Sequence, residues 1–190
     1  PRRCAQTVAR GWGDCKDKAT LIVTMLRELG IPATIVLVRT GMRGDIGDFP
    51  ASLAPFDHAI AYVPSLDLYL DGTAELTGSN ELPGMDRGAV ALQINEGKPK
   101  LVRLPQPPAE ESVVRRKVDV ALGADGAAQV AIDLAVMGVA GPSYRTRYMG
   151  EGTRRERFVS DLSSEFGALE LAAGAAGAEV SDLKDIEQAV

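Results

Sequence analysis

A thiol, an imidazole and a carboxylate are the parts of an activated nucleophile, and this chain offers them as Cys15, His58 and Asp71. Cys15 stands in "GWGDCKDKATLIVTMLRELGIP", at the head of a helical pattern. A cysteine in the first turn of a helix meets the positive end of the macrodipole and backbone N–H groups without intrahelical acceptors. Both favour thiolate over thiol, and Lys16 and Lys18 add positive charge nearby. The same N–H groups can hold an oxyanion.

A nucleophile of this kind needs a base, and the base needs an orienter. His58 is the only histidine. It lies in "DHAIAYV", which reads as a strand, followed by the turn "PSLD" and the returning strand "LYLDGTAE". With Ser65 and Leu66 as the tight turn, Tyr62 faces Tyr69 and Ile60 faces Asp71. His58 and Asp71 then share a face as diagonal neighbours, roughly 5.5–8 Å apart along the backbone. The Asp71 carboxylate can therefore orient the imidazole. Asp57 competes for that role, but as the strand neighbour of His58 it points to the opposite face.

Each of the three also has an ordinary reading. A lone cysteine on the apolar stripe of a helix is more often packed in the core. A lone histidine on a strand is most often structural, and an aspartate before Gly72 suits turn chemistry. The combination is what favours catalysis: one histidine, one helix-start cysteine and one aspartate in register. A metal is disfavoured. Cys4, Cys15 and His58 lack the paired spacings of a structural zinc site, and a cation on Cys15, His58 and Asp71 would displace a complete triad. Two cysteines make no disulfide framework, and the ten residues between Cys4 and Cys15 leave a bridge between them an open question.

The elements that must position these residues are legible. Between Asp14 and Gly30 the apolar residues Cys15, Ala19, Ile22, Leu26 and Leu29 fall at steps of four and three, one face of a helix. Asp14 suits the N-cap with Asp17 three residues on. Gly30 suits the C-terminal cap, and Pro32 stops continuation. "ATIVLVRT" reads as a buried strand. Residues 41–55, with three glycines and two prolines, read as a long loop of the kind that often carries function. Residues 76–106 read as irregular, with "LPGMDRG" a turn and "VALQI" a short strand.

The proline-rich "LPQPPAEES" marks a boundary, which divides the chain into 1–108 and 109–190. Beyond it, "VVRRKVDVAL" and "AAQVAIDLAVMG" flank "GADG" as a hairpin. Phe158, Val159, Leu162 and Phe166 follow helical spacing, and "LAAGAAGAEV" reads as a loop leading into a strand. The fold class expected is α+β: a cysteine helix on an antiparallel sheet, then a smaller, mostly β domain.

Composition bounds the partners. A chain that is 45% hydrophobic and 25% charged is ordinary for a soluble globular protein. No apolar run reaches the ~18 residues of a membrane span. The net charge of −5, all of it arising after residue 108, argues against nucleic acid as a general partner. The chain starts without Met and ends in the charged "DLKDIEQAV", so it is read as a piece of a longer precursor.

"WGDCKDKATLIVTMLRELGIPATIVLV", "FDHAIAYV" and "LYLDGTAE" together resemble the bacterial transglutaminase-like domain, a cysteine–histidine–aspartate superfamily with a papain-like core. The resemblance covers about residues 1–73. It implies Cys15 as nucleophile, His58 as general base and acid, and Asp71 as orienter, with no cofactor. It implies acyl transfer or amide hydrolysis on Gln side chains or peptide-like amides, with a protein, peptide or cell-wall peptide as substrate. The alternative is an inactive module of the same fold that binds peptides or wall material. Trp12 resembles the aromatic of the family's motif and is a candidate wall of the substrate pocket; a core position near the helix start suits it equally. In the family, further helices precede the cysteine helix and help form the oxyanion hole. Only 14 residues precede Cys15 here, so part of that region is expected to be missing. "LPGMDRGAVALQI" and the later hairpin resemble, more weakly, the downstream part of exported bacterial proteins with this domain, which implies a periplasmic or extracellular location.

Overall fold

Asp14 starts the cysteine helix and Gly30 ends it, as their chemistry dictates. The computed structural model describes residues 1–47, 50–95, 98–172 and 179–190. Helix α1 (Cys4–Arg10) leads through a short turn into α2 (Cys15–Glu28). The Asp14 carboxylate accepts from the Asp17 N–H, and the Asp17 carboxylate accepts from the Asp14 N–H, so the capping box closes at both ends. At the other terminus the Gly30 and Ile31 N–H groups donate to the carbonyls of Arg27 and Leu26. This is a Schellman motif, with Gly30 at φ +74° in the left-handed region. The buried stripe differs from the spacing pattern. Ala19 and Val23 are buried, while Leu29 is 75% exposed. Leu29 is the C-cap residue, beyond the last regular turn, so the helical period no longer aims it at the core.

Five antiparallel strands form the sheet under α2: β1 (Thr34–Arg39), β2 (His58–Val63), β3 (Leu68–Leu70), β4 (Val90–Gln93) and β5 (Lys100–Arg103), in the order β3-β2-β1-β4-β5. β-branched and apolar residues fill the central strands because both faces are covered. Ile22, Val23 and Leu26 pack on Ala61 and Val63. On the opposite face, Val36, Val38, Ile60 and Tyr69 pack with Leu82, Ala89, Ala91 and Leu104. Strand β5 falls in a stretch that the sequence presents as irregular. It is a four-residue edge strand with three exposed residues, so it has no buried face to write a pattern.

β2 and β3 pair in the register expected, with Tyr62 opposite Tyr69. Their rings stack at 4.4 Å between centroids. The turn is wider than a two-residue one: Pro64–Leu66 form a 3-10 turn, and Asp67 closes it at φ 48°. The loop from 41 to 55 begins with a further 3-10 turn, Gly41–Arg43. The Arg39 guanidinium donates to the carbonyls of Arg43, Gly44 and Pro55, clasping the two ends of the loop.

The chain separates into two compact units, Pro1–Pro107 and Pro108–Val190. In the second, β6 (Val114–Leu122) and β7 (Ala128–Val136) form the hairpin, with Gly126 at φ +84° in its turn. Two helices follow, α3 (Gly141–Tyr148) and α4 (Glu151–Leu162). α4 carries Phe158, Val159 and Leu162 of the predicted helix, and Phe166 lies just past its end. α3 has no apolar stripe to announce it. Pro142 lies in its first turn, and it is held by Arg145, whose guanidinium donates to the carbonyls of Ile186 and Gln188. Most of the Ala/Gly-rich stretch read as a loop before a strand, residues 173–178, lies outside the described residues. From 179 onward no strand is assigned; Val190 exchanges two backbone hydrogen bonds with Val136. Among the described residues, no helix is long and apolar enough to cross a membrane.

Candidate active site

Three elements bring the predicted residues to one place. α2 supplies Cys15 at its first position, β2 supplies His58 as its first residue, and Asp71 follows the last residue of β3. His58 pairs with Val38 across the central strand, so its backbone is fixed by the sheet. Its Nε2 lies 3.1 Å from Asp71 Oδ2. The Cys15 thiol lies near enough to the same imidazole to help raise its pKa. With Nε2 engaged by the carboxylate, Nδ1 is the nitrogen left for the sulfur.

The "LDGT" sequence explains how Asp71 is held. The backbone N–H and the hydroxyl of Thr73 both donate to Asp71 Oδ1 at 2.8 Å. That leaves Oδ2 for the imidazole. Gly72 lets this turn approach the cysteine helix: a Cβ there would stand 2.9 Å from Ile22 Cδ1 and 3.2 Å from Lys18 Cβ. Gly13 does the same at the other end of the site, where a Cβ would stand 2.7 Å from that of Asp17. "WGDC" and "LDGT" each hold a glycine because each backbone touches α2.

Capping shapes the helix end that Cys15 occupies. The N–H groups of Asp14 and Asp17 are taken by the capping box, so of the four at this terminus those of Cys15 and Lys16 have no capping partner. Asp17 has a second task. It is buried and accepts from the Arg2 backbone N–H at 2.6 Å and the Arg2 guanidinium at 2.5 Å, tying the segment before α1 to the cysteine helix. Cys4 and Cys15 are both free thiols, and Cys4 donates to Thr24 Oγ1 at 3.4 Å.

Trp12 is 57% exposed, which removes it from the core. The guanidinium groups of Arg2 and Arg10 lie 5.0 and 5.8 Å from its ring centroid. Asp57 turns away from His58: it accepts from the N–H and hydroxyl of Thr40, each at 2.9 Å, and pairs with Arg43.

A fourth residue was not singled out from the sequence. Asp86 is fully buried, and its Oδ2 lies 3.9 Å from His58 Nε2. Its position in "GMDRG" looked like turn chemistry, and an aspartate in a turn carries no signal of burial. His58, Asp71 and Asp86 present one nitrogen and two carboxylate oxygens within 4.8 Å of one another. Asp71 spends its oxygens on Nε2 and Thr73, and we read the group as a proton-sharing cluster.

Burial by itself would lower the pKa of His58. The hydrogen bond and charge of Asp71 outweigh it and, with smaller contributions from Asp86 once ionised and from Cys15, raise the value from 6.5 to about 9. Burial drives Asp86 the other way for an acid, up from 3.8 to about 7; His58 opposes the rise, and the negative charge of Asp71 adds to it. Asp71 is lowered, although burial works against this, because His58 and Thr73 donate to it. The consequences for stability have definite signs. His58 contributes stability that is fully present below pH ~6.5 and is lost as pH rises through about 9. Asp86 holds in the fold a proton that the unfolded chain releases near pH ~4, so its contribution is lost as pH rises through about 7. Asp71 contributes above its unfolded value and loses that contribution only in acid. Urea midpoints should therefore fall steadily from pH 5 to pH 9; midpoints that rise over that range would contradict the proton placement.

A cysteine at a helix start, a strand histidine and a neighbouring carboxylate thus lie in one α+β unit. Residues 1–64, about a third of the chain, match the family model described as the transglutaminase-like superfamily. The match takes in Cys15 and His58. Asp71 and Asp86 lie beyond it, and geometry alone joins them to the site. No curated protein and no solved structure matches the chain.

Proposed function

We propose that the Pro1–Pro107 unit is a cysteine acyltransferase or amidohydrolase of the transglutaminase-like kind. The observation that carries this reading is the single imidazole held by Asp71 at 3.1 Å near the helix start that presents Cys15. Cys15 attacks as a thiolate paired with the protonated His58. The sulfur attacks the carbonyl carbon of a Gln side-chain amide or a peptide-like amide. The developing oxyanion is received by the N–H groups of Cys15 and Lys16. His58 gives its proton to the leaving ammonia or amine as the C–N bond breaks, which leaves a thioester on Cys15. An amine or water then loses a proton to His58, attacks the thioester and returns the thiolate. Asp71 keeps the imidazole oriented and offsets its positive charge in both steps.

The substrate is a protein or peptide, with cell-wall peptides as one class. The likeness of the downstream segments to exported bacterial proteins supports work outside the cytoplasm. The test is intact-mass trapping with a panel of Gln peptides and wall peptides. Acyl transfer predicts a mass gain equal to the acyl group, lost on adding hydroxylamine and absent in Cys15→Ala. Peptide binding in the same panel without a thioester at any pH would instead assign the fold to an inactive binding module.

A further inference from the structure

Asp86 is the buried ionisable group that this mechanism leaves unused. Its carboxylate oxygens have no hydrogen-bond partner, although the residue is fully buried. A buried carboxylate with no donor is costly. A carboxylic acid in the same place is not, because its O–H has an acceptor to turn to: an oxygen of Asp71 lies within 4.8 Å of an Asp86 oxygen. Two carboxylates hydrogen-bond only when one carries the proton. Asp71 cannot be that one, since the Thr73 N–H, the Thr73 hydroxyl and the His58 ring all donate to it.

We propose that Asp86 is a positioning residue of the site: its neutral carboxyl donates to Asp71 and so completes a chain Cys15–His58–Asp71–Asp86. This rests on the acyl-transfer reading of Cys15 and His58. A carboxylate has about four lone-pair sites; the two Thr73 donors, Nε2 and the Asp86 O–H fill those of Asp71. The turn that carries Asp86 is anchored for the task. The Asp86 N–H donates to the Pro83 carbonyl, the Ala89 N–H donates to the Asp86 carbonyl, and the Met85 carbonyl accepts from Gly41, just past β1.

The neutral acid also sets how firmly His58 keeps its proton. The groups that act on the cluster are His58 from β2, Asp71 from the β3 turn, Asp57 and the Cys15 thiol. With Asp86 neutral, an imidazolium and the Asp71 carboxylate sum to no net charge. When His58 hands its proton to a leaving amine, one negative charge remains. An ionised Asp86 would make that two, and His58 would hold its proton against the leaving group. The neutral Asp86 is the form that lets His58 act as an acid.

With one histidine in the chain, the imidazole can be titrated by NMR without ambiguity. The full chain, Asp86→Asn and Asp86→Leu should be compared, each checked for a folded amide spectrum. Asn keeps a donor towards Asp71 and cannot ionise. In the native chain the His58 ring shift should sense Asp86 giving up its proton as pH rises through about 7; in Asp86→Asn that inflection should be gone, and the His58 midpoint should fall by about 1 unit or more, because the charge that Asp86 carries above that pH is absent. In Asp86→Leu the midpoint should lie above that of Asp86→Asn, because Asp71 has lost a donor. If Leu does not fold, the Asn comparison decides alone. A native ring that senses Asp86 ionising near pH ~4, the range of an ordinary carboxyl, an inflection that survives in Asp86→Asn, or a native spectrum that changes on adding EDTA, overturns the proposal. Iodoacetamide rates at Cys15 separate the two readings: no preference for Cys15 over Cys4 sinks the acyl-transfer function, while the imidazole titration still reports on Asp86.

Discussion

His58→Ala should slow the reaction of Cys15 with iodoacetamide at pH 6–7 by up to about 100-fold. At pH 6.5 an ordinary thiol is only about 1% thiolate. The folded site adds two things to that: a helix terminus whose Cys15 and Lys16 N–H groups have no capping partner, and a nearby imidazole. Removing the ring leaves only the helix end. On turnover the loss should be on the order of 10²–10⁴, because in the proposed reaction the same ring serves as base and as acid. Cys4 is the internal control. It is a free thiol bonded to Thr24 with no imidazole against it. In the native chain Cys15 should be alkylated first, as peptide mapping of partly labelled protein would show. Equal rates at the two cysteines, or a His58→Ala variant that reacts like the native chain, would remove the Cys–His pair from the mechanism.

Asp71→Asn should leave the fold intact and remove most activity, with kcat falling on the order of 10²–10⁴. The amide is nearly isosteric, and its oxygen can still accept from Thr73. It then turns an NH₂ group towards His58 Nε2. That nitrogen can no longer donate, so the ring shifts to the tautomer or orientation in which Nδ1 no longer serves as base for the thiol. The imidazolium also loses the charge that offsets it. The loss should therefore appear in kcat more than in KM, since Asp71 contacts the imidazole and not the peptide. Asp57→Asn gives the contrast. Asp57 caps Thr40 and pairs with Arg43 on the other side of the strand, so its substitution should leave turnover close to native. A large loss in Asp57→Asn with a mild one in Asp71→Asn would reverse the assignment of the orienting carboxylate.

The sequence by itself determined the parts whose cause is local. Asp14 and Asp17 announce a capping box, Gly30 and Pro32 announce a helix end, and α2 follows between them because each signal acts within one turn of chain. The β2–β3 register was legible for a similar reason: strand period two and a tight connection fix which residues face each other. Tyr62 thus meets Tyr69, and His58 and Asp71 fall on one side. From these local rules came three candidate site residues and the contrast with Asp57. What tertiary structure alone decided involves neighbours distant in sequence. Leu29 fits the stripe yet is exposed, and Val23 is buried, because the sheet beneath α2 chooses the face. β5 exists because β4 offers it an edge, not because "KLVR" has a pattern of its own. Trp12 had two open readings, and exposure removed the core one. Asp86 shows the limit best. A turn aspartate is polar by type and would be solvated by default. Only the packing of Leu82, Ala89 and Leu104 over the sheet carries it out of water and against an imidazole 28 residues earlier in the chain. Burial and charge proximity are properties of the assembled core, and no spacing along the chain encodes them.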